Sequence, residues 1–120
     1  MLDGDGVSPD GMADSEQYAR EKLEAALRTL ATGAGDVRSR LQEAYEVFHP
    51  LRRDHLPDEL KQDHDWIMTQ LTKHKPSRNY RGDVVKGSVE VSLGRMRNST
   101  GVKIAKRLLY IRDRLVERKN

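Results

Sequence analysis

Apolar residues recur at intervals of three and four positions in several segments of this sequence, and this period constrains the fold more than any other feature. The clearest case lies near the C-terminus, where four residues are spaced four, three and four positions apart: Ile104, Leu108, Ile111 and Leu115. An α-helix has 3.6 residues per turn, so this spacing places the four side chains on one face. It predicts a helix that begins near Gly101 and packs against other helices.

Glycine and proline residues divide the rest of the chain into further segments with a helical period. We predict helices over about 14–32, 36–49 and 57–73, because apolar positions recur on one face of each and breakers stand at their ends. The link at 33–35 is short, which is typical of two antiparallel helices that pack together.

Two segments carry weaker signals. Residues 74–87 hold a proline and two glycines among basic residues, which predicts a long loop. The apolar positions of 88–97 fit both the alternation of a strand and one face of a helix. We favour the helix, because Ser88 can cap it and helices are predicted on both sides.

These segments predict an all-α fold, a compact bundle of four or five helices formed by a single domain over 14–120. Residues 1–13 are acidic and rich in glycine, with few large apolar side chains, so we expect a disordered tail there. Five residues on the apolar faces are predicted to form the core: Leu27, Leu41, Ile67, Leu108 and Ile111.

The composition restricts the class of protein. Hydrophobic residues make up 36% and charged residues 34% of the chain, which predicts a lean core that homo-oligomerisation would extend. The absence of cysteine excludes disulfides, thiolate catalysis and Cys-ligated zinc. No apolar run is long enough to span a membrane and no signal-peptide pattern is present, so we expect a cytoplasmic protein.

No catalytic or metal-binding motif stands out. The four histidines form no i, i+4 pair on a helix, and Asp63, His64 and Asp65 are consecutive, so a helix directs them apart. A nucleophile elbow, an S-x-x-K motif and a P-loop are all missing from the sequence. We therefore expect no metal, no cofactor and no enzymatic activity.

Charge is distributed unevenly along the chain. Residues 1–74 carry nine Lys and Arg against fifteen Asp and Glu, whereas residues 75–120 carry thirteen against four. This asymmetry indicates either that the C-terminal half faces a polyanion or that the two halves attract each other, within or between chains.

The strongest candidate for a binding surface is a basic stripe on the last helix. At 100° per residue, five residues fall within an arc of about 80° beside the apolar face: Lys103, Arg107, Tyr110, Arg114 and Arg118. An aromatic ring among cations suits stacking on a base, and the cations suit phosphates. The loop repeats this chemistry with Arg78, Tyr80 and Arg81. Alternatively, these charges simply solvate an exposed face.

The sequence thus predicts a small, non-enzymatic regulatory or accessory protein that binds nucleic acid through its basic C-terminal helix. The alternative is a protein-interaction adaptor or inhibitor whose basic helix docks an acidic protein partner. Residues 88–114 also fit a helix-turn-helix, although two helices joined by a short turn are equally typical of an ordinary bundle.

Overall fold

A computed structural model of the chain describes the backbone of residues 7–119 and the side chains of residues 14–118. In this part of the chain, five α-helices and one short β-hairpin form the fold. In chain order the elements are α1 (Val7–Thr32), α2 (Val37–Phe48), a 3₁₀ turn (Arg53–His55), α3 (Asp58–Leu71), β1 (Ser77–Arg78), β2 (Val84–Lys86), α4 (Ser88–Arg95) and α5 (Asn98–Lys119). The predicted all-α bundle is confirmed.

The start of α1 differs from the sequence prediction. The helix begins at Val7, several residues before position 14, where we expected it to begin. Pro9 is compatible with this position, because the first turn of a helix leaves its N–H groups without a partner in any case. Of the predicted tail, residues 1–6 lie outside the described residues, as do the side chains of 7–13.

Helices α1 and α2 form the predicted pair. Gly35 turns the chain with a φ of 86°, in the left-handed region that favours glycine. Asp36 then caps α2 by accepting a hydrogen bond from the Ser39 N–H at 3.0 Å. Arg40 Nη1 donates to the Leu30 carbonyl at the end of α1, 2.9 Å away, so the turn is tied to both helices.

One apolar core joins the helices. Leu41, Ile67, Leu108 and Ile111 are each at most 1% exposed, as predicted, and so is every residue of the C-terminal apolar face. Leu27 is the exception, because it is only partly buried at the edge of the core. Leu23, Ala26 and Leu30 occupy the centre of the α1 face, and Leu27 stands one position to its side.

The region between α3 and α5 contains one confirmed and one wrong prediction. Residues 88–95 form α4, the helix that we favoured. The predicted loop instead contains a hairpin, in which Ser77 pairs with Lys86 and Arg78 pairs with Val84. Asn79 Oδ1 accepts hydrogen bonds from the N–H groups of Arg81 and Asp83 at 2.9 and 3.0 Å, and this interaction closes the turn.

Gly101 allows α5 to approach α2 closely. A Cβ atom on this buried residue would lie 2.8 Å from Val37 Cγ1 and 3.4 Å from Leu41 Cδ1. Gly94 in α4 is exposed, and a Cβ there would meet nothing within 4 Å. Since both glycines lie in helices, alanine gains the same helix propensity at either site.

The Gly101→Ala variant should therefore be less stable than Gly94→Ala by about 1–3 kcal/mol, the usual cost of overpacking a core. Denaturant unfolding of the two variants measures this difference directly. Equal stabilities would show that α5 and α2 move apart at no cost.

His64 is an enclosed titratable group in α3. Neither of its ring nitrogens has a hydrogen-bond partner among the described residues. Burial lowers the pKa of His64 below its ordinary value, because desolvation disfavours the charged ring. The negative charge of Asp65 opposes this shift, whereas Arg53 and His55 add to it.

We expect the free energy of unfolding to decrease as the pH falls from 7 towards 5. In the unfolded chain His64 takes up a proton at its ordinary pKa of about 6.5, whereas the folded protein resists this protonation until a lower pH. His64 thus favours folding above that pKa, and this contribution is lost on acidification. Urea unfolding at several pH values should show that the free energy of unfolding depends less steeply on pH in His64→Phe than in the wild type. The same pH dependence in both proteins would assign it to another titratable group.

Candidate nucleic-acid interface

The C-terminal end of the predicted stripe is paired with acidic residues of the N-terminal half. Arg114 lies 3.5 Å from Glu59 of α3 and 2.8 Å from Glu117. Arg118 contacts Glu16 of α1 at 3.2 Å and the same Glu59 at 3.6 Å. The hydrogen bond from Arg118 to Glu16 raises the pKa of Arg118 above its ordinary value. These contacts show that the two oppositely charged halves attract each other within one chain.

Arg107, in the middle of the stripe, also contacts α3. Its Nη1 donates to Asp63 Oδ1 at 3.0 Å, and its Cζ lies 4.5 Å from the centre of the Trp66 ring. The Asp63 side chain is only 18% exposed, so this ion pair is shielded from solvent about as well as Arg118–Glu16 and better than the pairs with Glu59, which is 47% exposed. Arg107 thus holds α5 against α3.

The N-terminal half of the stripe lines a groove, which it shares with Asp63, the ion-pair partner of Arg107. Lys103, Arg107 and Tyr110 meet Trp66 along this groove of about 420 Å³ between α3 and α5, which we call the α3–α5 groove. Lys106 also lines this groove, although it falls outside the predicted arc. Tyr110 is 48% exposed. Neither lysine forms an ion pair with a described side chain.

The hairpin carries the second set of predicted residues. Tyr80 stands at its turn with 90% of its surface exposed. Arg81 lies over the Tyr80 ring, 5.4 Å from its centre, and its Nε donates to the Tyr80 hydroxyl at 3.1 Å. Arg78 Nη1 donates to the Gly82 carbonyl, which braces the turn. The structure therefore presents an aromatic ring and two arginines at the tip of a protruding element.

A basic cavity, which the sequence did not predict, lies next to the α3–α5 groove. It is formed where α3 ends, α4 ends and α5 begins, and six of the residues that line it can interact with an anion: Lys73, His74, Ser92, Arg95, Arg97 and Thr100. The available signal was the charge of residues 73–97, which hold seven Lys and Arg against two Asp and Glu. None of these seven cations forms an ion pair with a described side chain.

The basic cavity and the groove follow one another along the same two helices. On α5, Thr100 lines the cavity and Lys103 lines the groove, three residues further on. On α3, Gln70 lines the cavity and Trp66 lines the groove, four residues earlier. About one helical turn separates the two sites, which is about 5 Å. The cavity and the groove are therefore neighbours, and together with Arg78, Tyr80 and Arg81 of the hairpin they are here called the basic face.

The described residues include no group of three or more histidine, aspartate or glutamate side chains placed to hold a metal ion. In the same part of the chain, no helix combines the length and the apolar character needed to cross a membrane.

No protein-family model matches the chain, and comparisons with curated proteins and with solved structures gave no match. Its function must therefore be inferred from the chemistry of its surface.

Proposed function

We propose that this protein is a non-enzymatic accessory protein that binds nucleic acid through the basic face. The observation that carries this proposal is the contrast between two sets of cations. Arg107, Arg114 and Arg118 form ion pairs with α1 and α3, whereas the cations of 73–97, together with Lys103 and Lys106, pair with none of the described carboxylates. An anionic partner would neutralise this second set of cations, which have no carboxylate partner among the described residues.

Phosphates are the partner that this charge pattern favours. Binding of a nucleic-acid backbone by Lys and Arg releases condensed counterions, which supplies most of the affinity in sequence-independent recognition. Clustered like charges destabilise the free protein, and a polyanion removes that repulsion.

Two exposed tyrosines favour a single strand over a duplex. Tyr80 on the hairpin and Tyr110 beside the α3–α5 groove both stand among cations. Unpaired bases stack on such rings without regard to sequence, while the neighbouring cations contact the backbone. A duplex keeps its bases stacked internally and offers the rings less contact.

The proposal revises the role of the predicted stripe. Only its N-terminal half belongs to the basic face, since Arg114 and Arg118 already pair with Glu59. These two arginines serve to hold α5 in the bundle, so that Lys103, Lys106 and Tyr110 are presented on a rigid helix.

Fluorescence anisotropy with labelled oligonucleotides tests the proposal. We expect single-stranded DNA or RNA to bind more tightly than a duplex of the same length. The logarithm of the binding constant should fall linearly with the logarithm of salt concentration, with a slope of about −0.7 for each phosphate bound.

Polyglutamate of matched charge is the control competitor, because the rival function is docking of an acidic protein. Weak competition by polyglutamate would support nucleic acid as the partner. Equal competition, or no oligonucleotide binding at low salt, would overturn the proposal in favour of the protein-interaction adaptor.

A further inference from the structure

The charge of the basic cavity needs an explanation beyond general attraction to a polyanion. The cavity has a volume of about 210 Å³ and no carboxylate among its lining residues. Lys73, Arg95 and Arg97 place cationic side chains along its wall, and none of them forms an ion pair with a described side chain. Three like charges around one concave site repel each other, and an anion inside it would reverse that effect.

Hydrogen bonds to α4 hold the cavity wall in place. Ser92 is 2% exposed, and its Oγ accepts a hydrogen bond from the His74 N–H at 2.9 Å. The Ser88 hydroxyl donates to the His74 carbonyl at 2.6 Å. These two bonds fix the segment that follows α3, and with it Lys73. Ser92 lines the cavity, and no described residue accepts a hydrogen bond from its hydroxyl group.

The start of α5 adds a further donor and a favourable dipole. The Arg97 carbonyl accepts hydrogen bonds from the N–H groups of Thr100 and Gly101 at 3.0 and 3.1 Å, so Arg97 stands at the beginning of the helix. The first turn of α5 contains no acidic residue. The positive end of this long helix therefore reinforces the cationic side chains, and Thr100 supplies a second hydroxyl.

We propose that the basic cavity binds a single phosphate group. That this phosphate belongs to a nucleic-acid strand rests on the function proposed above. Two guanidinium groups can each donate two hydrogen bonds to a phosphate, and Lys73, Ser92 and Thr100 provide donors for its remaining oxygens. The cavity is smaller and more enclosed than the α3–α5 groove, which suits one tetrahedral anion beside the groove that the strand follows.

Titration of the full chain with inorganic phosphate, at ionic strength held constant with sodium chloride, tests the cavity itself. In a ¹H–¹⁵N correlation spectrum, the amides of His74, Ser92 and Thr100 should shift with saturation. Arg95→Gln combined with Arg97→Gln should weaken phosphate binding by about tenfold or more for each arginine replaced. Arg114→Gln with Arg118→Gln removes the same charge elsewhere and should leave the phosphate titration unchanged. Shifts no larger than those caused by chloride would overturn the proposal.

Oligonucleotides then identify where the phosphate comes from. If a terminal phosphate occupies the cavity, a phosphorylated strand binds more tightly than its hydroxyl-ended counterpart, and the Arg95/Arg97 variant loses this preference. If an internal phosphate does so, both strands bind alike and the variant reduces the salt slope by about 0.7 or more. Phosphate binding without oligonucleotide binding would refute the proposed function and retain the cavity as a site for a phosphorylated small molecule. Because the two arginines have no described ion pair to lose and their mutual repulsion is removed, the variant should melt at or above the wild-type temperature.

Discussion

Replacement of Leu108 by alanine is expected to lower the free energy of unfolding by about 2–5 kcal/mol. Leu108 is 1% exposed and belongs to the core that α5 shares with the other helices. Its removal leaves a cavity that close-packed neighbours fill only in part, so both transfer free energy and packing are lost. Chemical denaturation monitored by circular dichroism measures the change.

The adjacent Leu109 provides a matched control on the same helix. This side chain is 41% exposed, and Leu109→Ala makes the same chemical change without opening a core cavity. We expect a decrease of less than about 1 kcal/mol. Similar decreases for the two variants would show that α5 does not pack on the face formed by Ile104, Leu108, Ile111 and Leu115.

Helices could be predicted from the sequence and the hairpin could not, for a physical reason. The face of α5 repeats over about three turns, from Ile104 to Leu115, so its period identifies both the helix and the buried residues. The hairpin strands have two and three residues, and Val84 and Val85 are exposed at 53% and 62%. No buried face imposes an alternating pattern on them. In the sequence, the turn is marked by Asn79 and Gly82, and Gly82 adopts a left-handed φ there.

The candidate site shows a different limit of sequence reasoning. A helical projection places Arg107, Arg114 and Arg118 on one side of α5, but it does not show which residues lie opposite. Glu59 and Asp63 of α3 occupy that position and form ion pairs with them. The basic cavity could not be predicted for the same reason, because Lys73, Arg95 and Arg97 come together only when three helix ends meet.

Two double variants with the same reduction in charge should have opposite effects. Arg78→Gln with Arg81→Gln removes two cations from the hairpin. For this variant we expect the plot of the logarithm of the binding constant against the logarithm of salt concentration to have a shallower slope. The difference should be about 0.7–0.9 for each phosphate that the hairpin no longer neutralises. Its global stability should remain close to that of the wild type, because the hydrogen bonds of Arg78 and Arg81 lie within the hairpin, which contributes no residue to the apolar core. Binding isotherms at several salt concentrations and thermal melts provide both measurements.

Arg114→Gln with Arg118→Gln is the matched pair on α5. Removal of the ion pairs with Glu16 and Glu59 should lower the melting temperature slightly, since exposed ion pairs each contribute less than about 1 kcal/mol. Oligonucleotide binding should change little, because the Debye length of about 10 Å at 0.1 M salt screens charges outside the contact surface.

Tyr80→Ala separates stacking from charge on the hairpin. If a base lies on this ring, affinity should fall by about fivefold to 140-fold, since stacking on an aromatic side chain contributes roughly 1–3 kcal/mol per base. The salt slope should stay at its wild-type value, because no cation is removed. A Tyr80→Phe variant keeps the ring and loses only the hydroxyl that receives the Arg81 Nε–H. Unchanged affinity in Tyr80→Ala would exclude stacking at the hairpin.

If the Arg114/Arg118 variant reduced the salt slope as much as the hairpin variant, the whole stripe of α5 would be the contact surface. The strand would then displace the carboxylates of Glu16 and Glu59 as it binds.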